Sequence, residues 1–453
     1  MTDAASMPAA TDAPAQGTSL TAVDARTARR NAAERRFRMY GLVAVSIGLI
    51  FLVTLLSTIV SNGLGAFQQT FITTQVYLDP AKLDKTGDRN PDDLRKVTTF
   101  GYTPLIQNAV FETVQDLGIE TPLSTAKDMR PLISASAAAQ VRNFVLANPD
   151  KIGETVEFRI LAASRVDGYL KDRVQREDVA RDKNIDAEHL DVTDDLLSAG
   201  VVSKSFNLSF ITGSDASESR AEQAGMGVSM LGSLFMMLVV LVLSLPIGVA
   251  ASIYLEEFAP KNRITDLIEV NISNLAAVPS IVFGILGLAV FIQFMHLPQS
   301  APLVGGLVLT LMTLPTIIIS TRASLKAVPP SIRDAALGIG ASKMQTVFHH
   351  VLPLAMPGIL TGTIIGLAQA LGETAPLLLI GMVGFIASNY PDGLASGFLD
   401  PNSAMPAQIY EWAKRADPAY YERAWGGIII LLLFLLTMNI IAILLRRRFE
   451  RRW

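Results

Sequence analysis

Six apolar segments of about 20 residues constrain the fold of this chain more than any other feature of its sequence. A helix of that length crosses about 30 Å of hydrocarbon, so each segment is long enough to span a lipid bilayer. Half of the residues are hydrophobic, and they are concentrated in these segments. The sequence therefore predicts a mainly α-helical, polytopic membrane protein. The predicted transmembrane helices are residues 41–60, 228–254, 268–294, 302–320, 352–383 and 426–445.

The distribution of lysine and arginine predicts how these helices are oriented. With six spans, every basic cluster falls on the same side of the membrane, and cytoplasmic loops are enriched in basic residues. We therefore expect both termini in the cytoplasm and the polar segment 61–225 on the opposite side. A cleaved signal peptide fits poorly, because the first apolar segment is too long. The clusters comprise six arginines between residues 26 and 38, Lys261, Arg263, Arg322, Lys326, Arg333, Lys343, Arg446, Arg447, Arg448, Arg451 and Arg452.

The polar segment 61–225 reads as an α+β domain. Residues 71–78 are rich in β-branched and aromatic side chains, which favours a strand. Phe206, Leu208 and Phe210 alternate with polar residues, which predicts a half-buried strand that could pair with the first one. Residues 131–147 and 154–174 are interpreted as helices. His189, the only histidine of the segment, is expected on the surface.

Several function classes have no support in the sequence. The absence of cysteine excludes disulfides, thiolate zinc sites and iron–sulfur clusters, and a net charge of −3 gives no argument for binding nucleic acid. No P-loop, zincin or nucleophile-elbow motif occurs. His349 and His350 would point about 100° apart on a helix, which makes a poor metal chelate. We therefore expect no catalytic residue, metal or cofactor, and any energy for transport must come from another subunit.

The loop before residue 352 predicts a helix, a glycine turn and a second helix. Pro329–Pro330 stops the preceding helix, and Ser331 with Asp334 resembles a capping box that starts a new one. Gly338 and Gly340 can end that helix with a turn. A second capping box, formed by Ser342 and Gln345, starts the next helix. Its apolar stripe consists of Met344, Val347, Phe348 and Val351.

A helix with small side chains on one face, placed between two spans, is suited to docking into a groove of a partner protein. An ordinary interfacial helix in a loop fits the same residues equally well. The loop resembles the EAA loop of ABC importer permeases, and we refer to residues 322–352 as the EAA-like loop. In that family the loop is the coupling helix that seats in the ATPase subunit. Asp334 stands where glutamate is usual, and His350 where isoleucine is usual. The matching residues are Asp334, Ala335, Ala336, Gly340, Leu352 and Pro353.

A second resemblance narrows the family. Residues 354–377, with the string Gly-Glu-Thr-Ala-Pro-Leu at 372–377, look like phosphate-importer permeases of the PstA type. The resemblance covers roughly residues 206–453, and 67–205 looks like an insertion. It implies a permease that moves inorganic phosphate across the bacterial inner membrane. The implied partners are a PstC-type second permease, a PstB-type ATPase dimer and an extracytoplasmic phosphate-binding protein.

The implied fold is the six-helix type I ABC importer permease with an α+β extracytoplasmic domain between spans 1 and 2. We expect a disordered cytoplasmic tail at 1–39, the first span at 40–60, the extracytoplasmic domain at 61–225 and a five-helix permease core at 226–453. Three alternatives remain open: a permease for another oxyanion, a membrane receptor with an extracytoplasmic sensor domain, and an ion-driven secondary transporter. Copurification of an ATPase would separate the ABC importer from the receptor and the secondary transporter.

Glu373 is the acidic residue that the sequence places deep within a span. A charge there is costly, about 2.5–3.5 kcal/mol on insertion scales, so it needs a partner or water. One interpretation is that the Glu373 carboxylate acts as a gate or relay in transport. The other is a structural role, in which the carboxylate hydrogen-bonds to the backbone freed by Pro376 or to Thr374. Family members often carry arginine where this chain has Gln369, so the cation for phosphate is not evident. Helix ends at Pro279–Ser280 and at 313–316 could attract anions. The candidate path residues are Glu373, Thr374, Gln369 and Pro376.

Overall fold

The computed structural model describes residues 25–84, 87–179, 182–382 and 390–449. The chain divides into two compact units, Met1–Thr58 and Ile59–Trp453. Helix α1, Ala25–Gly63, contributes most of the first unit, and its apolar side chains are exposed. The arginine-rich residues expected in the tail are therefore helical from Ala25 onward, because alanine and arginine are strong helix formers. Residues 1–24 of that tail, and Arg451 and Arg452, lie outside the described residues.

A three-stranded antiparallel sheet with helices packed against it forms what we call the sheet domain, residues 68–206. The strand order is β2-β1-β3. The strands are β1 Gln68–Tyr77, β2 Thr155–Leu161 and β3 Val202–Phe206. The helices are α2 Pro80–Leu83, α3 Pro91–Lys96, α4 Thr99–Asp116, α5 Ala137–Ala147, α6 Ser164–Leu170, α7 Arg176–Val179 and α8 Ala187–Ser198.

Of the strand predicted over residues 206–210, only Phe206 lies in a strand: β1 pairs with β3, Val202–Phe206, which ends at that residue. Gln68 of β1 lies opposite Phe206 of β3. The strand stops there because the Asn207 side chain accepts a hydrogen bond from the Phe210 N–H at 3.0 Å and caps a new helix. This helix, α9, is Leu208–Thr212. Side-chain capping by asparagine thus outweighs the alternating pattern that continues to Phe210.

The helix expected at 154–174 is wrong, since β2 and α6 occupy this range. Phe158 and Ile160 are buried while Glu157 is exposed, which is the period of two of a strand. The helix expected at 131–147 begins only at Ala137. His189 is also not on the surface: it is buried, and its Nε2 lies 2.9 Å from the Asp128 carbonyl oxygen.

The remaining described residues form a helical bundle and its connections. Counted by length and composition, five of the described helices can cross a membrane, or six if the bent pair α11 and α12 is one span. The helices are α10 Gly227–Ile253, α11 Arg263–Ala276, α12 Ser280–Gly287, α13 Pro302–Lys326, α14 Pro330–Gly338, α15 Lys343–Gln345, α16 Leu352–Gly372, α17 Ala375–Leu379, α18 Leu394–Leu399, α19 Met405–Lys414 and α20 Pro418–Phe449. Turns with π-helical bonding extend α10, α12 and α15 as Tyr254–Phe258, Leu288–Phe294 and Thr346–Val351.

Helix α13 packs between α10 and α16, and glycines allow the close approach. Ile317 of α13 lies against Gly248 of α10, where an added Cβ would come within 2.7 Å of it. On the other side, Ser324 of α13 lies against Gly358 of α16. Small residues at such contacts let membrane helices pack backbone to backbone. This close packing makes α13 the centre of the bundle.

Two predicted spans are broken. The segment 268–294 bends by 100° between α11 and α12, because Pro279 cannot donate to the carbonyl four residues earlier and its ring clashes there. The segment 352–383 ends at Gly372, where Pro376 has the same effect, and residue 383 lies outside the described part. The helix end expected at 313–316 is wrong, since these residues lie inside α13 and the Thr313 hydroxyl donates to the Leu309 carbonyl.

Candidate functional site: the EAA-like loop, the broken helices and the junction cluster

The first helix of the EAA-like loop begins two residues earlier than predicted, with its N-cap at Pro329 instead of Ser331. Helix α14 starts at Pro330, with Pro329 as its N-cap and no side-chain capping bond. The capping box expected between Ser331 and Asp334 is therefore wrong. Proline is well suited to the first helical position because its fixed φ already matches a helix. As a result the Asp334 carboxylate is exposed to solvent instead of closing the helix end.

The turn and the second capping box form as predicted. Gly340 has a φ of +91°, in the left-handed region that favours glycine. The Ser342 N–H donates to Gln345 Oε1 at 2.9 Å, and the Gln345 N–H donates to Ser342 Oγ at 3.2 Å. These bonds fix the angle at which α15 leaves the turn and leads through Thr346–Val351 into α16 at Leu352–Pro353.

The projecting part of the loop carries an exposed surface that is partly apolar. Ala336 is buried, but Leu337 and Ile339 are 48% and 83% exposed. Asp334 and Ala335 are exposed beside them. We call these four residues, Asp334, Ala335, Leu337 and Ile339, the loop surface. The loop surface thus combines one acidic group with exposed aliphatic side chains.

The apolar stripe of the second helix divides between two environments. Val347 and Val351 are buried with Leu325 of α13. Met344 and Phe348 are exposed and line an apolar groove of about 460 Å³ that also runs along α10. Burial of one half of the stripe anchors the loop on the bundle, so the loop surface stands on a fixed base.

Two adjacent glutamates at the end of α10 connect the loop to the bundle. The Glu257 carboxylate accepts hydrogen bonds from Arg333 Nη2 at 2.7 Å and from Arg333 Nε at 3.2 Å. Its neighbour Glu256 instead pairs with Arg322 at 3.3 Å and Lys326 at 3.5 Å, both on α13. Sequence reasoning missed both contacts, because the partners lie 66 to 76 positions apart.

The candidate path residues lie at the break between α16 and α17. Glu373 has an extended backbone with φ −77° and ψ 126° and is half-buried. Within the described part of the chain, its carboxylate makes no hydrogen bond or ion pair, so the structural role near Pro376 or Thr374 finds no support. Gln369 is exposed on the last turn of α16. The second broken helix adjoins this one, since a Cβ at Gly284 of α12 would come within 2.7 Å of the Pro376 Cα.

A buried group of charges joins the sheet domain to the start of α20, and no sequence motif predicted it. We call it the junction cluster. Lys171 Nζ lies 2.6 Å from Asp167 Oδ2 and 3.3 Å from Glu422 Oε1. Arg173 pairs with the same two carboxylates. The six members are Asp167, Lys171, Arg173, Glu222, Glu422 and Arg423.

Arg423 connects three segments of the chain. Its Nη1 donates to the Ala66 carbonyl at 3.0 Å, in the turn Leu64–Phe67. Its Nη2 donates to the Glu222 carbonyl at 3.0 Å, shortly before α10. The guanidinium also lies over the Phe210 ring, 5.1 Å from its centroid. A single buried cation thereby holds the starts of α10 and α20 together with the turn before β1.

Burial and charge act differently on the carboxyls of the cluster. Burial alone would raise the pKa of Asp167, but Lys171 and Arg173 hold that pKa below its ordinary value. Asp167 also accepts hydrogen bonds from the Thr70 N–H at 3.1 Å and hydroxyl at 2.8 Å. Burial raises the pKa of Glu222, an effect that the hydrogen bond from Ser134 opposes. Asp167 is therefore the firmly ionised centre of the cluster.

Comparison with known proteins identifies the family. The family model described as "Binding-protein-dependent transport system inner membrane component" matches residues 244–453. A second family model, a domain of unknown function (DUF3333), matches residues 24–179. The chain is 31% identical over 233 residues to "Phosphate transport system permease protein PstA 1" of Mycobacterium tuberculosis (strain ATCC 25618 / H37Rv), which covers 51% of this chain and 73% of the relative. The chain belongs to the PstA family of ABC importer permeases. It is also 30% identical over 253 residues to "Probable ABC transporter permease protein YqgI" of Bacillus subtilis (strain 168), covering 54% of this chain and 83% of that protein.

Membership of the PstA family confirms the main expectations from the sequence. The protein is a multi-pass membrane subunit of an ABC importer, has no ATPase site of its own and works with an ATPase and a substrate-binding protein. The DUF3333 match covers β1, β2 and most of the sheet-domain helices, in agreement with an enlarged domain outside the family core. A solved structure of the MetNI methionine ABC transporter in an inward-facing conformation is 15% identical, with a TM-score of 0.37 over 50% of this chain and 95% of that chain.

Proposed function

We propose that this PstA-family permease carries inorganic phosphate into the cell. The observation that carries the proposal is the identity of about one third with relatives whose names assign them to phosphate transport, such as those of Mycobacterium tuberculosis and, at 30%, Pasteurella multocida. The partners would be a PstC-type permease, a PstB-type ATPase dimer and an extracytoplasmic phosphate-binding protein. Another oxyanion of similar shape is the alternative cargo, because the exposed Gln369 supplies no positive charge to select phosphate.

The orientation that we propose places both termini and the EAA-like loop in the cytoplasm. The basic residues near the loop and the last helix support it, since cytoplasmic segments are enriched in lysine and arginine. The sheet domain, with the rest of residues 61–225, then lies outside the cell. In this orientation the loop surface is available to an ATPase, and the sheet domain is on the side of the binding protein.

We propose that the loop surface docks into the ATPase. Asp334 offers a charge for a basic partner, and Leu337 and Ile339 offer exposed apolar area that lipid does not cover in this orientation. The glycine turn at Gly340 and the anchored stripe hold the surface at a fixed angle. Docking through Asp334 and Ala335, supported by the buried Ala336 and by Gly340 and Leu352–Pro353, would transmit ATP-driven closure to the bundle.

We propose that phosphate passes the break at Glu373. The unpaired, half-buried carboxylate beside two adjoining broken helices supports a gating role over a structural one. A carboxylate repels phosphate, so the attraction would come from other groups, such as the backbone N–H groups at the start of α12. Gln369, Thr374 and Pro376 would then shape the same part of the path.

The test measures phosphate uptake and ATPase copurification for the complex in proteoliposomes. Asp334→Lys should release the ATPase and abolish uptake, because the charge at the docking surface is reversed. The control is Asp266→Lys, which reverses an equally exposed aspartate in the first turn of α11 and should leave both unchanged. Glu373→Gln should keep the ATPase bound but lose uptake. Undiminished copurification with Asp334→Lys would refute the docking role, and stronger competition by arsenate or sulfate than by phosphate would refute the cargo.

A further inference from the structure

Arg333 lies next to Asp334, yet its side chain turns away from the loop surface into the bundle. Its guanidinium binds Glu257 through two nitrogens and also donates to the Val328 carbonyl at 2.8 Å and the Leu325 carbonyl at 2.9 Å. The Glu257 side chain is 8% exposed. One guanidinium therefore connects the loop helix α14, the end of α13 and the end of α10.

We propose that the Arg333–Glu257 pair is the joint through which movement of α14 reaches α10 during transport. The inference rests on the proposed docking of the loop surface and assigns the next step after it. Arg333 and Glu257 are positioning residues, because neither would touch phosphate or ATP. The pair decides whether movement of the docked loop becomes movement of a transmembrane helix.

The geometry makes this joint stiff. A guanidinium is a planar fork that fixes direction as well as distance when it binds a carboxylate through more than one nitrogen. With Glu257 nearly buried, water cannot easily replace the contact. The Leu325 carbonyl of α13 and the Val328 carbonyl just beyond its end occupy further donors of the same group, so α14 cannot shift while the ends of α10 and α13 stay in place.

The neighbouring glutamate provides an internal comparison. Glu256 lies beside Glu257 in the turn that extends α10, but its partners Arg322 and Lys326 both belong to α13. Arg322 also pairs with Glu269 of α11 at 2.6 Å. Loss of Glu256 therefore weakens contacts between α10 and α13 without touching α14, whereas loss of Glu257 removes the contact between α14 and α10.

The experiment compares Glu257→Gln with Glu256→Gln in the reconstituted complex, using ATP hydrolysis and phosphate uptake. Glu257→Gln should keep the ATPase bound and hydrolysing while phosphate moved per ATP falls about tenfold, within the usual range of coupling between sites. Glu256→Gln should change that ratio much less. Exchanging the charges, Glu257→Arg with Arg333→Glu, should recover part of the coupling that Glu257→Arg alone loses.

A second readout does not depend on the identity of the cargo. Because the sequence has no cysteine, Tyr254→Cys gives this chain a single thiol in the turn that extends α10, at a residue that is 56% exposed and close to Glu257. ATP should change its rate of maleimide labelling in the otherwise unchanged complex and in Glu256→Gln, but not in Glu257→Gln. The joint would be overturned if the two glutamine variants had equal effects or if Glu257→Gln left the ratio of phosphate to ATP unchanged. It would also be overturned if Glu257→Gln lost the bound ATPase, or if the labelling rate never responded to ATP. Failure of Asp334→Lys to release the ATPase would instead overturn the docking on which it rests.

Discussion

Replacing Arg423 by methionine should loosen the junction between the sheet domain and the start of α20. Methionine keeps the unbranched apolar stem of the side chain but removes the guanidinium that donates to the Ala66 and Glu222 carbonyls. The cluster would then hold three carboxylates against two cations. Removing one partner of a buried charge group costs about 3–5 kcal/mol, because the opposite charges stay buried without compensation.

Native-state hydrogen exchange measures this cost residue by residue. Since each 1.4 kcal/mol is tenfold in an equilibrium, junction amides should exchange about 100-fold faster or more in Arg423→Met. The reporting amides are those of Thr70, which donates to Asp167, and of Asn207 and Met226, which donate to the Phe67 and Phe210 carbonyls. Amides within α4, in the core of the sheet domain, should keep their protection.

The control removes an arginine from the same domain at its surface. Arg176 pairs with Asp191 and Asp194 in solvent-exposed contacts of 2.6 Å. Arg176→Gln should leave junction exchange unchanged, because exposed ion pairs contribute little. Unchanged protection in Arg423→Met would refute the reasoning that the cluster holds the junction. Equal acceleration throughout α4 would show that Arg423 supports the domain's own core and not its attachment.

Two further predictions concern the turn and the cluster. Gly340→Ala should weaken ATPase binding in a copurification assay, because a side chain at φ +91° costs about 1–2 kcal/mol, whereas Gly338→Ala, at a position without positive φ or close neighbours, should not. Asp167 has a lowered pKa, so its stabilisation is present above the pKa of an unfolded aspartate, about 4, and is lost only as pH falls through the lower folded value. Asp167 should therefore not lower the midpoint of thermal unfolding in detergent between pH 7 and pH 5, and the raised pKa of Glu222 adds stability as the pH decreases. Asp167→Asn should lower the midpoint at both pH values, and a lower midpoint at pH 5 than at pH 7 in the unchanged protein would contradict this.

The sequence predicted features that depend on local chemistry. The apolar segments were long enough to identify spans, and the string at 372–377 was distinctive enough to suggest the family. Ser342 with Gln345 formed its capping box because both partners lie on one turn. The strand at 155–161 was missed because seven alternating residues between longer helical patterns do not outweigh their surroundings until a neighbouring strand pairs with them.

Features that depend on distant contacts could not be predicted. Arg423 binds a carbonyl 357 positions away, and Arg333 binds a carboxylate 76 positions away. In the sequence alone, such basic residues look like charges in loops, and they indicate only on which side of the membrane a loop lies. Only the fold shows that both are largely withdrawn from water and hold helices together. The same reason explains the buried His189, whose partner Asp128 lies on another element.

Taken together, the two charge groups hold α10 at both of its ends. Glu222, whose carbonyl binds Arg423, lies shortly before the helix begins, and Glu257, which binds Arg333, lies just after it ends. With about 1.5 Å per residue, the helix between them is about 40 Å long. A rod fixed at both ends can follow the loop only by bending, and bends concentrate where a proline removes a backbone bond. Pro246 is the proline inside α10, and it leaves the Val242 carbonyl, four residues earlier, without that bond. Movement entering at Glu257 should therefore displace the part of α10 that follows Pro246 and bend the helix near Val242, whereas the residues next to Glu222 stay with the sheet domain.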